Sequence, residues 1–379
     1  MKILMYLKTT GLEYDDRVRK ESISLRNLNH VVKIVAVQND NVKKRGLTNY
    51  EVPFESKSLL LRKLTPQSKF KLLKTIEMHI KFLIDFIKFK PDVVWIHNYE
   101  NLTLVPIMAF FRFLKLTKHV VFDQHELPYN ALINNRFLKY FSKSYIKLAD
   151  YNIFANNERM NFVIDTYNLN ISKKDAFLVL NNYPDTIFFN LKTGKLPENI
   201  IGWLGHDKYI LAQGGTGKSR YLEKIIESIM FIKKYKLIVV GPYDNIAHYH
   251  TDKTNVDSFN KYVFFTGLIP QMELVNFIDN AYFSVIFYDK TQINNKLCAP
   301  NRLYQAISRG LPVLVGNNPP LKDLIENYSC GFAINGDGRD SLMISEGIYE
   351  MEKNYILYKS NILKIQKKFL WENQFIKFL

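Results

Sequence analysis

Cysteine is nearly missing from this chain of 379 residues: Cys298 and Cys330 are the only two. They can form one disulfide at most, which excludes a disulfide scaffold and points to a reducing compartment. Long apolar runs are lacking too. The run from Leu102 to Phe111 stops at Arg112, well short of the ~20 residues that a membrane-spanning helix needs. Lys2 and a short apolar stretch come before Lys8 and then Glu13, Asp15 and Asp16, with no small-residue cleavage site, so no secretory signal is expected. There is no short-period repeat and no low-complexity tract. Acid is the scarcer charge, with 36 Asp+Glu against 52 Lys+Arg, a net +16. No two aspartates stand two positions apart, so the short Asp-x-Asp metal motif is absent.

What is present is apolar and aromatic. A hydrophobic share of 47%, with 27 Phe and 23 Tyr, excludes a disordered or collagen-like chain. The length suits two or three domains with ample core. The positive charge is uneven: residues 1–190 hold 29 basic and 18 acidic residues, a balance of +11, and the remainder adds +5. Within this, Lys57–Lys90 carries nine basic residues and two acidic ones. Such a stretch attracts nucleic acid, acidic lipid headgroups or phosphorylated substrates. Its ordinary reading is a solvated helix face.

The pattern is alternating β and α. Lys2–Leu7 and the β-branched Val31–Val37 read as strands around a helix from Asp16 to Leu28, the start of a parallel α/β unit. Strands follow at Asp92–His97, His119–Asp123, Asp150–Ala155 and Phe177–Leu180, with a helix at Lys69–Lys90 and a buried one at Leu102–Leu116. Asn181 to Pro197 is the best linker. The pattern then restarts, with strands at Tyr209–Ala212, Leu237–Val240, Val263–Phe265, Phe283–Phe287 and Pro312–Val315. Helices are expected at Tyr221–Ile232, Met272–Asn280 and Asn301–Arg309. The fold class is therefore α/β, with two Rossmann-like domains, and ligands are expected at the carboxyl ends of the strands, in the cleft between the sheets.

Ala212 to Ser219 contains Gly214, Gly215 and Gly217 followed by Lys218, a relaxed phosphate-loop pattern with Ala in the first glycine place. The Mg²⁺-holding Asp that should end a second apolar strand is missing, since Leu237–Val240 runs into Gly241-Pro242-Tyr243. A nucleoside triphosphatase is the rival reading. A glycine loop before a helix still suits a phosphate or diphosphate. Against a nucleic-acid-binding module stands the want of any compact nucleic-acid motif.

Gln213-Gly-Gly215 with Arg220, Leu222 and Ile225-Ile226, then Leu237–Gly241 and Phe265-Thr-Gly-Leu268, resembles the nucleotide-binding domain of GT-B glycosyltransferases of family 4. Pro300-Asn-Arg-Leu-Tyr-Gln305, Gly310-Leu-Pro-Val313, Leu324-Ile325 and Gly331 extend the resemblance. In the first half, Asp16-Arg-Val18, Leu25 and Val121–Glu126 are similar, as is Trp371-Glu372 near the end. Departures stand at Leu297 and Gln305, where relatives often carry two glutamates eight positions apart; Gln305 holds the place of the second, which grips the ribose. Arg220 and Arg302 stand where Lys is common, and Tyr221 where Gly is usual.

The resemblance implies an acceptor-side domain at 1–185, a nucleotide-sugar domain at 186–360, and a terminal helix at 361–379 crossing back to the first domain. It implies a retaining transferase moving a sugar from a nucleotide-diphosphate sugar to a glycan or lipid-linked oligosaccharide. No cofactor and no metal are expected, because cations and a glycine loop can stabilise the leaving diphosphate. Arg220 and Lys218 are assigned that task, with Gly214, Gly215 and Arg302 beside them. His125 is the candidate for the donor sugar or reacting centre, and Glu126 or Glu100 for the base. Further binding candidates are Gly11, Asp16, Arg17 and His97 in the first half, and Gly267, Asp289, Pro300, Asn301 and Gln305 in the second. A non-catalytic relative of the fold is the other alternative. The protein is expected to be cytoplasmic, peripheral on an anionic inner membrane face through the basic stretch Lys57–Lys90, Lys69, Lys71 and Lys74 among it, without nucleic acid.

Overall fold

Runs of Val and Ile become strands covered on both faces, as parallel strands flanked by helices require. The computed structural model describes residues 1–9, 11–12, 15–38, 45–65, 69–170, 176–242 and 256–375. Two compact units divide between Asn181 and Asn182, inside the expected linker.

The first unit holds strands β1 (Lys2–Lys8), β2 (Val31–Val37), β3 (Arg45–Leu47), β4 (Pro53–Lys57), β5 (Val93–His97), β6 (His119–Gln124), β7 (Tyr151–Phe154) and β8 (Phe177–Val179). They form one sheet in the order β3-β4-β2-β1-β5-β6-β7-β8. Every pairing is parallel except β3 with β4. The second unit holds β9 (Tyr209–Gln213), β10 (Lys236–Val240), β11 (Val263–Gly267), β12 (Phe283–Ile286), β13 (Val313–Val315) and β14 (Gly331–Ala333). This sheet runs β11-β10-β9-β12-β13-β14 and is parallel throughout. Two parallel sheets with crossover helices confirm the α/β, Rossmann-like expectation. Both cysteines are free, Cys330 in the core of the second unit.

Some elements differ from expectation. β3, β4 and β14 are short strands near sheet edges, too brief for a period to show. The stretch expected as a buried helix at Leu102–Leu116 is a 3-10 turn, Tyr99–Leu104, leading into a helix at Val105–Phe113. That helix is not buried throughout, since Phe113 is 80% exposed. The linker holds a short helix, Thr186–Asn190, capped by Asp185. The helix Trp371–Phe375 is tied to this linker. The Trp371 N–H donates to the Pro184 carbonyl at 2.9 Å, and the Glu372 carboxylate accepts from the Thr186 N–H at 3.0 Å and hydroxyl at 2.9 Å.

Candidate functional site

Each sheet has one point where strand order reverses. From β1 the chain builds outward through β2 and β4, and from β5 through β6, β7 and β8 in the other direction. From β9 it builds through β10 and β11, and from β12 through β13 and β14. Helices above and below such a sheet part there, leaving a crevice at the carboxyl ends of the two central strands. The crevice positions are Thr9, Gly11, Leu12 and His97 in the first unit, and Gly214 and Phe287–Asp289 in the second.

In the second unit the crevice is floored by glycine. Gly214 turns out of β9 at φ +107, and a Cβ there would meet Arg302 Nη1 at 3.3 Å. Gly241, at the end of β10, lies so close that a Cβ would fall 2.0 Å from the Gly214 carbonyl oxygen. Gly267 ends β11 at φ +77, and its carbonyl accepts from the Gly241 N–H at 3.0 Å. The three adjacent strand ends are thus kept bare of side chains. A small open hollow lies here, lined by Gln213, Gly214, Gly215, Thr216, Arg220 and Arg302 over Val239, Val285 and Phe287.

Two cations border this hollow. Arg220 stacks its guanidinium over the Tyr288 ring at 3.6 Å, and Arg302 stands over the same ring at 4.9 Å. Tyr288 is buried at the end of β12, and burial pushes its hydroxyl up to about 12, against the pull of the Arg302 and Arg220 charges. Its carbonyl accepts from Asn318 Nδ2 at 3.2 Å, which fixes the strand end. Arg302 Nη1 donates to the Gln213 carbonyl. A guanidinium held over an aromatic face is fixed in place while its positive charge remains.

The loop between β9 and its helix departs from a phosphate-loop ATPase. Lys218–Arg220 is a 3-10 turn, Tyr221 follows in a left-handed conformation at φ +52, and the helix begins only at Leu222. Lys218 is exposed on that turn and does not line the hollow, unlike Arg220. Asp289 faces its own loop, accepting from the Thr291 N–H at 2.9 Å, which holds its carboxyl below the usual range. Its N–H donates to the Ser219 carbonyl at 2.9 Å, tying this loop to the Arg220 turn. Pro300 caps the helix Asn301–Ser308, which presents Arg302 and Gln305 one turn apart. Gln305 is buried and its Oε1 accepts from Gln213 Nε2 at 2.9 Å.

The first unit's crevice is a buried charge cluster. Arg17 forks onto Asp123, with Nε to Oδ2 at 3.0 Å and Nη2 to Oδ1 at 2.8 Å, and reaches the Leu180 carbonyl at 2.6 Å. Glu21 Oε1 lies 3.0 Å from Arg17 Nε. Burial and the neighbouring Asp123 charge raise the Glu21 carboxyl well above the usual range. Asp123 moves the other way: burial opposes its charge, but Arg17 and His125 hold it well below. His125 Nε2 stands 2.7 Å from Asp123 Oδ2, and His97 Nδ1 3.2 Å from the same oxygen. Burial lowers His97, keeping it neutral. The His125 ring faces Asp123 through Nε2 and retains some exposure.

His97, Asp123 and His125 bring three donor atoms within 4.8 Å, a set able to hold a divalent cation. The separations of 2.7 to 3.2 Å are hydrogen-bonding distances, and Arg17 already bridges both Asp123 oxygens, so the arrangement reads as a hydrogen-bonded cluster. Asp16 is buried against Arg19 at 2.7 Å and Lys20 at 2.8 Å. The structure thus gives Asp16 and Arg17 interior ion pairs that shape the crevice, while Gly11 sits buried in the loop after β1. Glu126 is largely exposed and meets Arg159 Nη2 at 3.2 Å. Glu100 is hydrogen-bonded by the Tyr129 hydroxyl.

Two residues of these crevices escaped sequence reasoning. Glu21 shares the buried helix side with Val18 and Leu25, three and four positions away, and an acid on an apolar stripe was a legible signal. Tyr288 merely extended an apolar run, and its stacking on two distant arginines left no trace in spacing.

No protein-family model matches the chain, and no curated protein matches it in sequence. Solved structures do resemble it. Sucrose-phosphate synthase from Thermosynechococcus elongatus superposes with a TM-score of 0.74 at 14% identity, covering 100% of this chain and 97% of that one. HepE from Anabaena, solved in complex with UDP and glucose, gives 0.67 at 13% identity, over 98% and 96%. WaaG, a glycosyltransferase of lipopolysaccharide biosynthesis, gives 0.63 at 13% identity, over 97% and 95%. The chain has the GT-B fold of these glycosyltransferases along nearly its whole length.

Proposed function

We propose that this protein is a glycosyltransferase that takes a sugar from a nucleotide-diphosphate sugar. The observation that carries the reading is the arginine pair on Tyr288 beside the glycine-bared strand ends. Breaking an anomeric carbon–phosphate bond leaves negative charge on a diphosphate, and fixed cations at that point lower the barrier. Arg220 is the leaving-group cation, with Arg302 beside it and Lys218 at the entrance. His125, partly open and set by Asp123, serves the sugar or the reacting centre, and Glu126 or Glu100 orients the acceptor hydroxyl. The likeness in fold to HepE with UDP and glucose supports the donor class, and that to WaaG supports a glycan or lipid-linked acceptor. Transfer is retaining, needs no metal, and occurs on the inner face of an anionic membrane.

The test is a panel of nucleotide-diphosphate sugars, followed by donor turnover in EDTA. A saturating ligand at 100 times its Kd adds about 2.7 kcal/mol to stability, so binding reads out as a thermal shift. Turnover that persists in EDTA supports leaving-group stabilisation by arginine. Loss in EDTA with recovery on Mn²⁺ or Mg²⁺ would remove that role. Mg²⁺-dependent ATP or GTP hydrolysis without any sugar would replace the whole reading.

A further inference from the structure

A surface helix normally buries one face and offers polar residues on the other, whereas a helix apolar all round is buried. The helix Lys71–Phe89 breaks this rule. Met78, Phe82 and Phe86 face the core. On the opposite side Leu73, Ile76, Ile80, Ile84 and Ile87 form a stripe at three- and four-residue spacing, each 44% to 63% exposed. Phe86 meets Phe111 of the helix Val105–Phe113 at 5.0 Å, and that neighbour exposes Phe110 and Phe113. Against it packs Arg136–Leu148, which carries Arg136, Lys139, Lys143 and Lys147 and no acid, and exposes Phe137 and Tyr140.

Charge says what fits. The two acids of Lys57–Lys90 are both paired: Asp85 is buried against Lys33 at 3.0 Å and Lys57 at 2.9 Å. Glu77 accepts from the Leu61 N–H at 3.0 Å and pairs with Lys81 at 2.6 Å. Lys69, Lys71, Lys88 and Lys90 remain exposed at the two ends of the stripe. Lys74, expected among the surface cations, is instead buried with its ammonium 3.5 Å from the Thr65 carbonyl. Among the described residues no helix is long and apolar enough to cross a membrane.

We infer that this face docks on an anionic lipid surface, with the isoleucine stripe and the Phe110–Phe113 ridge at the headgroup boundary and the four lysines on lipid phosphates. An apolar band with exposed lysines at both ends matches a layer that is apolar beneath and anionic at its edge. A second copy would set the same lysines against one another. The inference gives the membrane partner of the reading above a defined contact, and it stands or falls without any donor sugar.

The test is co-sedimentation of the full chain with phosphatidylcholine vesicles, alone or with phosphatidylglycerol, at low and high salt. Preferential binding to the anionic vesicles, released by salt, is expected. Ile76→Gln, Ile80→Gln, Ile84→Gln and Ile87→Gln together should lower the partition coefficient at least about tenfold, since each removes apolar contact with lipid. Lys69→Gln, Lys71→Gln, Lys88→Gln and Lys90→Gln together should remove the anionic preference. Both variants should keep the wild-type circular dichroism and nucleotide binding. Equal binding to both vesicles, no binding, or unchanged binding of the isoleucine variant would overturn the inference. So would a dimer that the isoleucine variant dissolves.

Discussion

The two strand-order reversals of this molecule carry arginine in opposite ways. In the first unit Arg17 is enclosed, its guanidinium fork closed on Asp123 and Glu21. In the second, Arg220 and Arg302 lie on the face of one tyrosine beside three bare strand ends. An arginine held by carboxylates has its charge answered inside the fold and serves architecture. Arginines held over a ring are positioned by its face. The same topology thus yields one buried carboxylate-paired arginine and one pair of ring-stacked arginines.

The largest expected difference is in stability. Arg17→Ala leaves Asp123 buried without its main counter-charge and should cost about 3–5 kcal/mol, read from urea unfolding. Arg220→Ala should leave unfolding nearly unchanged. A stable Arg17→Ala protein would erase the contrast.

Turnover should show the reverse ranking. Arg220→Ala should slow transfer about 10²-fold, or ~2.7 kcal/mol, and Arg220→Lys should recover part of it because charge remains while the fork is lost. Normal turnover in the alanine variant would displace the diphosphate from this crevice.

Acid should act on the first unit next. The Asp16 carboxyl, although buried, is held by Lys20 and Arg19 at about 2 rather than 3.8. A depressed folded value gives stability that is full above about pH 4 and lost as pH falls toward 2, about 2 kcal/mol at most. Glu21 has the opposite sign: its raised value means that stability declines as pH climbs from the ordinary Glu range through the folded value. Urea midpoints measured across this range should fall at the acid end, and Asp16→Asn should flatten that fall. An Asp16→Asn protein with the wild-type acid profile would show that the pair contributes nothing.

Much of this was readable in advance. The central strands announce themselves as Val- and Ile-rich runs, because parallel strands buried on both faces admit little else. The glycine loop and Arg220 were visible for the same reason, since only glycine permits the Gly214 turn. What stayed hidden is contact between distant positions. Nothing in the local pattern tells that Asp85 neutralises Lys57, that Lys74 turns inward, or that Gln213 occupies Gln305. The helix Arg136–Leu148 and the short strand β14 were missed, one for its mixed aromatic and basic pattern, the other for its three residues.

The smallest expected effect sharpens the comparison most finely. Tyr288→Leu removes the ring from both arginines and should weaken nucleotide-diphosphate binding about tenfold, ~1.4 kcal/mol, whereas Tyr288→Phe keeps the face and most of the affinity. In the Leu background, Arg220→Lys should cost less than it does in the wild type. An equal cost in both backgrounds would mean that the ring does not orient Arg220.

Calorimetric titration of the wild type and of Arg220→Ala with the same panel of nucleoside diphosphates bears most directly on the assignment of this crevice. At least one nucleoside diphosphate should saturate the wild type with one site and lose about tenfold or more in affinity in the variant, with no metal added. No binding by any member of the panel, or equal affinity in both proteins, would contradict it.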